Sequence, residues 1–262
     1  MSGAASLPMY DWPEIRDATD TLWTAIREQL LQRGIDAPVQ LQRPADPEPL
    51  WTAPDLLLSQ TCGYPYANRL RGRVMLLGTP AHAVTGARPG HYFSVLIAHR
   101  DRLPEHAGDL ADRRLAFNMT HSQSGFAAPV RLLAAGGHAS WPEPLETGSH
   151  RGSIKAVADG SADWASIDAV TWELAMRHEP AAADLAVFAT TPQTPALPLI
   201  AGAAFAGQSD AIAGAVEAAI KGLDAGIRDA VLITGLARFK PEDYAPLAAP
   251  LPVDKALPTL PR

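Results

Sequence analysis

Apolar residues recur every three or four positions in several segments, and shorter apolar runs lie between these segments. The first pattern predicts helices and the second predicts buried strands. Asp11 is the predicted N-cap of the first helix, which carries apolar residues from Ile15 to Leu30 and ends at Gly34. Strands are predicted over residues 5–10, 38–42, 54–59, 74–78, 92–98, 114–118, 162–168 and 185–189. Further helices are predicted after residue 125 up to the glycine pair at 136–137, over residues 147–159 and 169–178, and from residue 209. This alternation predicts an α/β fold with a mostly parallel sheet.

Polar clusters follow the carboxyl ends of several predicted strands. They include Gln60–Tyr64, Ser122–Gly125 and the strand-terminal Asp168, and another polar segment, Thr147–Ser153, starts a predicted helix. Open α/β sheets bind ligands beyond the carboxyl ends of their strands. These clusters are therefore the candidate binding residues.

The composition restricts the classes of function. Of the 262 residues, 47% are hydrophobic, which lies in the globular range and argues against wholesale disorder. The formal net charge of −6 provides no basic surface for a nucleic-acid backbone, so no nucleic-acid partner is expected. The chain has no apolar run of about 18 residues, so no membrane-spanning segment is expected.

The start of the chain bears on the cellular location. It has neither the basic segment nor the long apolar run that a secretory signal requires. The expected location is cytoplasmic if the chain is complete as given, and periplasmic if a signal peptide has been removed.

Cys62 is the only cysteine, which excludes an internal disulfide bond and a cysteine-based zinc site. The histidines are scattered and show no pair at i and i+4 on one helix. The chain also lacks a nucleophile elbow, a phosphate-binding Gly-Lys-Ser/Thr loop and a His-Glu-x-x-His motif. We therefore expect no metal site and no cofactor.

Four stretches carry a family resemblance, in matching order and spacing. They are Asp55–Tyr64, Phe117–Gly125, Thr147–Ile154 followed by Asp159–Asp168, and Thr191–Pro198. Together they resemble the phosphate, phosphite and phosphonate substrate-binding proteins of ABC importers, a branch of the type II periplasmic binding protein fold. The resemblance implies a small-molecule binding function rather than catalysis.

The family fold has two α/β lobes joined by two interlobe crossovers, with the ligand in the cleft. Carried over to this chain, lobe one comprises residues 1–91 and 194–262, and the inserted lobe two comprises residues 92–193. The resemblance implies a solute-binding protein that closes around a small anionic ligand, a phosphate- or phosphonate-type oxyanion, for ABC import. It also implies an ABC permease as partner and a monomeric receptor.

The segment Ser122–Gly125 suits an anion. The hydroxyls of Ser122 and Ser124 and the backbone N–H groups of a helix that starts near Gln123 are hydrogen-bond donors, although N-capping by serine would also explain them. Pro129 lies within this helical pattern, and we expect it to kink or delay the helix and so to weaken the dipole contribution.

Further candidate ligand-binding residues come partly from the resemblance, which places His150 in the cleft. Its ring donates one hydrogen bond when neutral and two when protonated. Asp168 can accept a proton from an oxyanion or bind a ligand ammonium, and it can also cap the following helix. The remaining candidates are Tyr10, Thr61, Cys62, Gly63, Tyr64 and Tyr92.

An alternative function is a cytosolic enzyme or ligand sensor on the same fold. In that case the Cys62 thiolate would be the nucleophile, and a cleft histidine (His82, His91, His121 or His150) would be its base. A lone cysteine is more often a small buried hydrophobic residue, so the non-catalytic binding function is preferred.

Overall fold

The computed structural model describes residues 3–105, 107–110, 112–136 and 142–252. By its internal contacts the chain forms two compact units. Among the described residues, unit one comprises residues 3–91 and 195–248, and unit two comprises those between 92 and 194 together with residues 249–252. Unit one is therefore built from two separate parts of the chain, with most of unit two inserted between them.

The described residues form twelve strands, and their bounds follow in chain order. They are β1 Ala4–Ala5, β2 Leu56–Gln60, β3 Met75–His82, β4 His91–Tyr92, β5 Ser94–His99, β6 Leu115–Phe117, β7 Leu145–Glu146, β8 Trp164–Asp168, β9 Leu185–Thr190, β10 Thr194–Pro195, β11 Leu199–Ala201 and β12 Ile233–Ala237. The short strands β4 and β10 pair with each other where the chain passes between the units.

The α-helices are α1 Arg16–Gln32, α2 Glu48–Trp51, α3 Gly63–Pro65, α4 Ala128–Ala135, α5 His150–Ala158, α6 Ala169–His178, α7 Ser209–Gly222 and α8 Ala225–Ala230. Two segments are π-helical, Tyr66–Leu70 and Gln123–Ala127, and the second continues directly into α4. Turns of 3-10 helix cover Pro13–Ile15, Arg100–Arg102, Ala107–Leu110, Pro180–Asp184, Ala203–Gln208 and Pro241–Ala248.

The sheet of unit one has the order β1-β2-β11-β3-β12. Strand β2 is buried along its whole length. Its Leu57 and Leu58 lie in a core cluster to which α1 and α7 contribute apolar faces, and its Leu56 lies in a second cluster. Trp23 and Ile26 of α1 and Val216 of α7 lie in the first cluster. Helical spacing of apolar residues therefore determines how the long helices bury their faces.

The sheet of unit two has the order β7-β6-β8-β5-β9. Its core cluster contains Leu96 of β5, Phe117 of β6 and Trp164 of β8, with Phe126 and Val130 from the helix that starts at Gln123. Strands β7, β6 and β8 are parallel, whereas β5 runs antiparallel to both β8 and β9. The carboxyl ends of β6 and β8 therefore lie at the same edge as the amino end of β5.

The predicted mostly parallel sheet is wrong. Strand β11 lies antiparallel between β2 and β3, and β12 is antiparallel to β3. The physical reason is the chain's return: β11 follows the second passage between units and enters the sheet directly, without the helical crossover that parallel pairing requires. Alternation of helices and strands in the sequence does not reveal such an inserted strand.

Three predictions in the first fifty residues are also wrong. The strand predicted over residues 5–10 is only the two-residue β1, Ala4–Ala5. Asp11 is not the cap of the first helix, because its carboxylate accepts a hydrogen bond of 2.6 Å from Arg43, and a 3-10 turn leads into α1 instead. Residues 38–42 form no strand. The Pro38 carbonyl accepts from the Trp23 indole, and the Gln42 N–H donates to the Ala5 carbonyl, so this segment is held irregularly against its neighbours.

The described part of the tail, residues 249–252, belongs to unit two rather than to the first lobe that the sequence analysis assigned it to. The Ala249 carbonyl accepts a hydrogen bond of 2.8 Å from the Arg131 guanidinium, and Leu251 packs against the unit-two core. The assignment of residues 253–262, and the glycine stop at residue 137, lie outside the described residues.

A buried tyrosine pair lies in unit one. The rings of Tyr66 and Tyr244 are 4.9 Å apart in an edge-on arrangement. The Tyr244 hydroxyl donates to the Ala196 carbonyl at 2.8 Å and lies 2.6 Å from the Thr79 hydroxyl, which therefore donates to it. Among the described residues, the Tyr66 hydroxyl has no hydrogen-bond partner, and burial raises its pKa to about 12.

We expect Tyr244→Phe to destabilise the protein by about 1–3 kcal/mol, because it leaves a buried hydroxyl and a buried carbonyl with fewer partners. Tyr66→Phe is the matched control and should change the unfolding free energy by about 0.5 kcal/mol or less, because its hydroxyl makes no bond that is lost. Urea unfolding of both variants measures the difference. Equal losses would show that the Tyr244 hydrogen bonds contribute nothing specific.

Candidate functional site

Polar side chains meet at the carboxyl edge of the unit-two sheet. Asn118 directly follows β6, and Asp168 ends β8 opposite Ser94, the first residue of β5. Thr191 follows β9, and its hydroxyl accepts from the Ser94 N–H at 2.9 Å. Asp168, Ser94 and Asn118 are all buried, so this edge is polar but not freely hydrated.

A helix starts at this edge with the segment predicted to bind an anion. The Ser122 hydroxyl accepts from the Gly125 N–H at 3.1 Å and so caps the helix. The Ala127 N–H donates to the Ser122 carbonyl at 2.9 Å, a spacing of five residues that makes the first turn π-helical. The side-chain oxygen of Gln123 accepts a hydrogen bond from the Arg131 guanidinium on the same helix.

A second helix start, that of α5, lies beside the end of β6. Thr147 and Gly148 donate backbone hydrogen bonds to the carbonyls of Phe117 and Asn118, each at 2.9 Å. Gly148 has a φ of +76°, a conformation that glycine adopts without steric cost. The Ser149 hydroxyl then caps α5 by accepting from the backbone at 3.0 Å.

The two helix starts are joined by a side-chain hydrogen bond. Ser124 Oγ of the first lies 2.8 Å from His150 Nε2 of the second. Gly125 has no room for a side chain, because a Cβ there would overlap the Asn118 carboxamide and lie 3.1 Å from His150 Cε1. Ser124, Gly125, Asn118 and His150 therefore form one close-packed group, which we call the Ser124–His150 cluster.

This cluster is electrically neutral near neutral pH. Burial lowers the pKa of His150 to about 4, so its imidazole has one N–H donor and one acceptor nitrogen. Within the described part of the chain, Asn118 Oδ1 and His150 Nδ1 are buried without a hydrogen-bond partner. Buried polar atoms without partners are costly, and a bound ligand is one way to satisfy them.

Asp168 has the capping role that the sequence analysis considered. Its Oδ1 accepts from the backbone N–H groups of Val170 and Thr171 at 2.8 Å and 3.2 Å. The side chain is buried, and its strand position places it across from Ser94. Capping does not exclude ligand binding, so its role toward a ligand stays a prediction.

The candidates between Thr61 and Tyr64 lie in unit one, just beyond β2. The Thr61 N–H donates to the Pro198 carbonyl at 3.1 Å, and Cys62 is partly exposed and forms no disulfide bond. Gly63 is buried, and a Cβ there would lie 2.9 Å from a Leu247 methyl carbon. Tyr64 is partly exposed, and its carbonyl accepts from Asn68 at 2.9 Å.

Tyr10 also lies in unit one, where its ring packs edge-on against His82 with centroids 5.1 Å apart. Both rings line a mainly apolar cavity of about 50 Å³ that also includes Gln60. Tyr92 is buried and begins unit two. The structure therefore brings Ser122, Gln123, Ser124 and His150 to one edge of the unit-two sheet, beside Asp168, and places the residues 10 and 61–64 in unit one.

Sequence reasoning missed Asn118, Ser94, Ser166 and Thr191. Asn118 ends the strand predicted over residues 114–118, and Thr191 lies two residues beyond the strand predicted over residues 185–189, so both carry the strand-end signal that identified the other clusters. Ser94 and Ser166 lie inside apolar strands, and no periodicity distinguishes such serines from ordinary buried ones. Among the described residues, no cluster of three or more His, Cys, Asp or Glu side chains could hold a metal ion.

A family model matches most of the chain, from residue 7 to residue 244, and describes the periplasmic substrate-binding protein of phosphonate ABC transporters. The chain belongs to this family. Membership establishes a solute-binding role in ABC import and implies a small anionic ligand and a permease partner. No helix in the described ranges is long and apolar enough to cross a membrane.

Solved structures show the same fold, that of type II periplasmic binding proteins. XAC2383 from Xanthomonas citri, bound to ATP, is 16% identical with a TM-score of 0.70, over 95% of this chain and 96% of that one. PhnD1 from Prochlorococcus marinus, in complex with methylphosphonate, is 15% identical with a TM-score of 0.70, over 93% and 95% of the two chains. A binding protein component of an ABC phosphonate transporter from Pseudomonas aeruginosa is 15% identical with a TM-score of 0.72, over 94% and 85%. No curated protein sequence matches the chain.

Two half-buried histidines make the stability depend on pH. Burial lowers the pKa of His82 and of His150 from 6.5 to about 4. Between these values the unfolded chain binds more protons than the folded one, so stability is complete above pH 6.5 and is lost as the pH falls toward 4. We expect a loss on the order of 2 kcal/mol for each histidine.

Chemical unfolding at pH 7 and pH 5 tests this prediction. His82→Gln and His150→Gln should each reduce the difference in stability between the two pH values. His99→Gln is the control, since His99 lies at the end of β5 and its ring accepts from the Asp101 N–H. A pH dependence that neither variant reduces would contradict the assignment.

Proposed function

We propose that the Ser124–His150 cluster binds a phosphonate- or phosphate-type oxyanion for delivery to an ABC permease. The observation that carries this proposal is the 2.8 Å hydrogen bond that joins the starts of two helices, one capped by Ser122 and the other by Ser149. Each helix start offers backbone N–H groups and a partial positive charge to the same region.

The donors in this proposal are neutral. Because His150 has a pKa of about 4, the site does not depend on a protonated imidazole. Ser122 and Ser124 add hydroxyls, and Gly125 lets Asn118 and His150 pack directly against the backbone of the first turn. Oriented neutral donors hold an anion without the cost of burying a side-chain cation.

The buried acceptor atoms favour a ligand that also donates a hydrogen bond. The Asn118 oxygen has no partner among the described residues, and His150 Nδ1 is a second open acceptor in the tautomer in which Nε2 carries the proton and donates to Ser124 Oγ. A monoprotonated phosphonate or phosphate carries one hydroxyl, whereas sulfate at neutral pH carries none. We therefore expect sulfate to bind more weakly than either.

The comparisons support a phosphoryl ligand. PhnD1 of Prochlorococcus marinus is in complex with methylphosphonate, and XAC2383 of Xanthomonas citri is bound to ATP. Both have this fold at low sequence identity, so the ligand of this chain rests on its own cluster and its family. The enzyme or sensor alternative through Cys62 is not favoured by the family membership.

The remaining candidates complete the proposal. We assign ligand contacts to Tyr10, Thr61, Cys62, Gly63 and Tyr64 of unit one, and to Tyr92 and Asp168 of unit two. Partly exposed tyrosines can supply a hydroxyl donor or an aromatic wall for an organic substituent. Asp168 would bind a ligand ammonium if the substituent carries one.

Isothermal titration with methylphosphonate, phosphate and sulfate tests the function. We expect wild type to bind at least one of the first two, and Ser124→Ala and His150→Gln each to weaken that binding about tenfold or more. His99→Gln should leave the affinity unchanged, because His99 lies at the opposite end of β5 from Ser94. No binding of any phosphoryl anion, or binding that neither variant weakens, would overturn the proposal.

A further inference from the structure

The helix that starts at Gln123 has an unusual hydrogen-bond ladder. The Ser122 carbonyl accepts from the Ala127 N–H, and the Gln123 carbonyl accepts from the Ala128 N–H, so both bonds span five residues. The next carbonyl in this ladder, that of Ser124, would need an N–H at position 129. Residue 129 is proline, which has none.

Two strand serines replace this missing donor. Ser94 Oγ donates to the Ser124 carbonyl at 3.1 Å, and Ser166 Oγ donates to the same oxygen at 2.6 Å. Both serines are almost fully buried, with exposed fractions of 2% and 1%. A carbonyl oxygen has two lone pairs, so it can accept both bonds.

The register of the sheet brings these serines together. Ser94 pairs with Asp168, and Leu96 pairs with Ser166, across the antiparallel strands β5 and β8. Ser94 and Ser166 are therefore diagonal neighbours on one face of the sheet. The two serine hydroxyls therefore hydrogen-bond the first turn of the helix to the sheet edge. An ordinary helical N–H would instead bond the Ser124 carbonyl only to the next turn of the same helix.

We propose that Ser94 and Ser166 are positioning residues for the oxyanion site. By holding the Ser124 peptide, they fix the Ser124 hydroxyl against His150 and fix the first-turn N–H groups at the sheet edge. This inference rests on the proposed function for its effect on affinity. Its effect on the order of the turn does not depend on any ligand.

The first experiment compares Ser94→Ala, Ser166→Ala and the double variant with wild type. We expect each single variant to weaken methylphosphonate binding severalfold and the double variant to weaken it about tenfold or more. Without ligand, amide hydrogen exchange should accelerate in residues 123–128 of the double variant. Ser59→Ala is the control, a buried strand serine of unit one whose hydroxyl has no partner among the described residues.

A rescue variant distinguishes two roles of Ser94 and Ser166: positioning the first turn of the helix, or only supplying hydrogen-bond donors to the buried Ser124 carbonyl. Adding Pro129→Ala to the double variant returns an N–H that can donate to the Ser124 carbonyl along the helix. If the serines position the turn, this triple variant regains thermal stability but not affinity. If it regains both, the serines only satisfy the carbonyl and the inference is wrong.

The failure of the inference is distinguishable from the failure of the proposed function. If wild type binds and the double variant binds equally well, the positioning role fails while the function stands. If wild type binds no phosphoryl anion, the function fails and hydrogen exchange alone decides the positioning role. Faster exchange confined to residues 123–128 then supports it, and unchanged exchange there overturns it.

Discussion

The Ser124 carbonyl is the interaction on which the arrangement of the unit-two site depends. Proline at position 129 removes its helical donor, and a buried carbonyl without a donor would be costly. The two strand hydroxyls that replace the donor attach the helix start to the sheet. The hydroxyl of Ser124 also lies within hydrogen-bond distance of His150, so this one residue links the sheet, the first helix and the second helix.

The sequence predicted the parts of the fold that depend on local signals. Residues 169–178 form a helix as predicted, because Asp168 is visible in the sequence as its cap. The antiparallel strand β11 was not predictable, since its position depends on where the chain returns. Asp11 has the chemistry of a cap, yet Arg43, distant in sequence, binds its carboxylate.

The candidate site also contains residues that a local sequence signal identifies and residues that have no such signal. Ser122, Gln123, Ser124 and His150 stand out as polar groups at strand ends and helix starts. Ser94 and Ser166 could not be recognised, because a serine inside an apolar strand has no sequence signal for its partner. Pro129 was expected to weaken the helix start, but the π-helical turn accommodates it and α4 continues to Ala135. The consequence of the proline is a change of hydrogen-bond partner rather than a broken helix.

Neutral recognition explains why a cluster of this kind needs such firm positioning. A lysine or arginine attracts an anion over a distance and tolerates small displacements, whereas a neutral donor contributes only when its hydrogen points at the ligand oxygen. With His150 neutral, the selectivity of the site depends on where each donor and acceptor lies. Only 19% of the residues are charged, and two buried serines hold the helix start from behind. Both observations fit a site that binds its anion through oriented neutral donors instead of charged side chains.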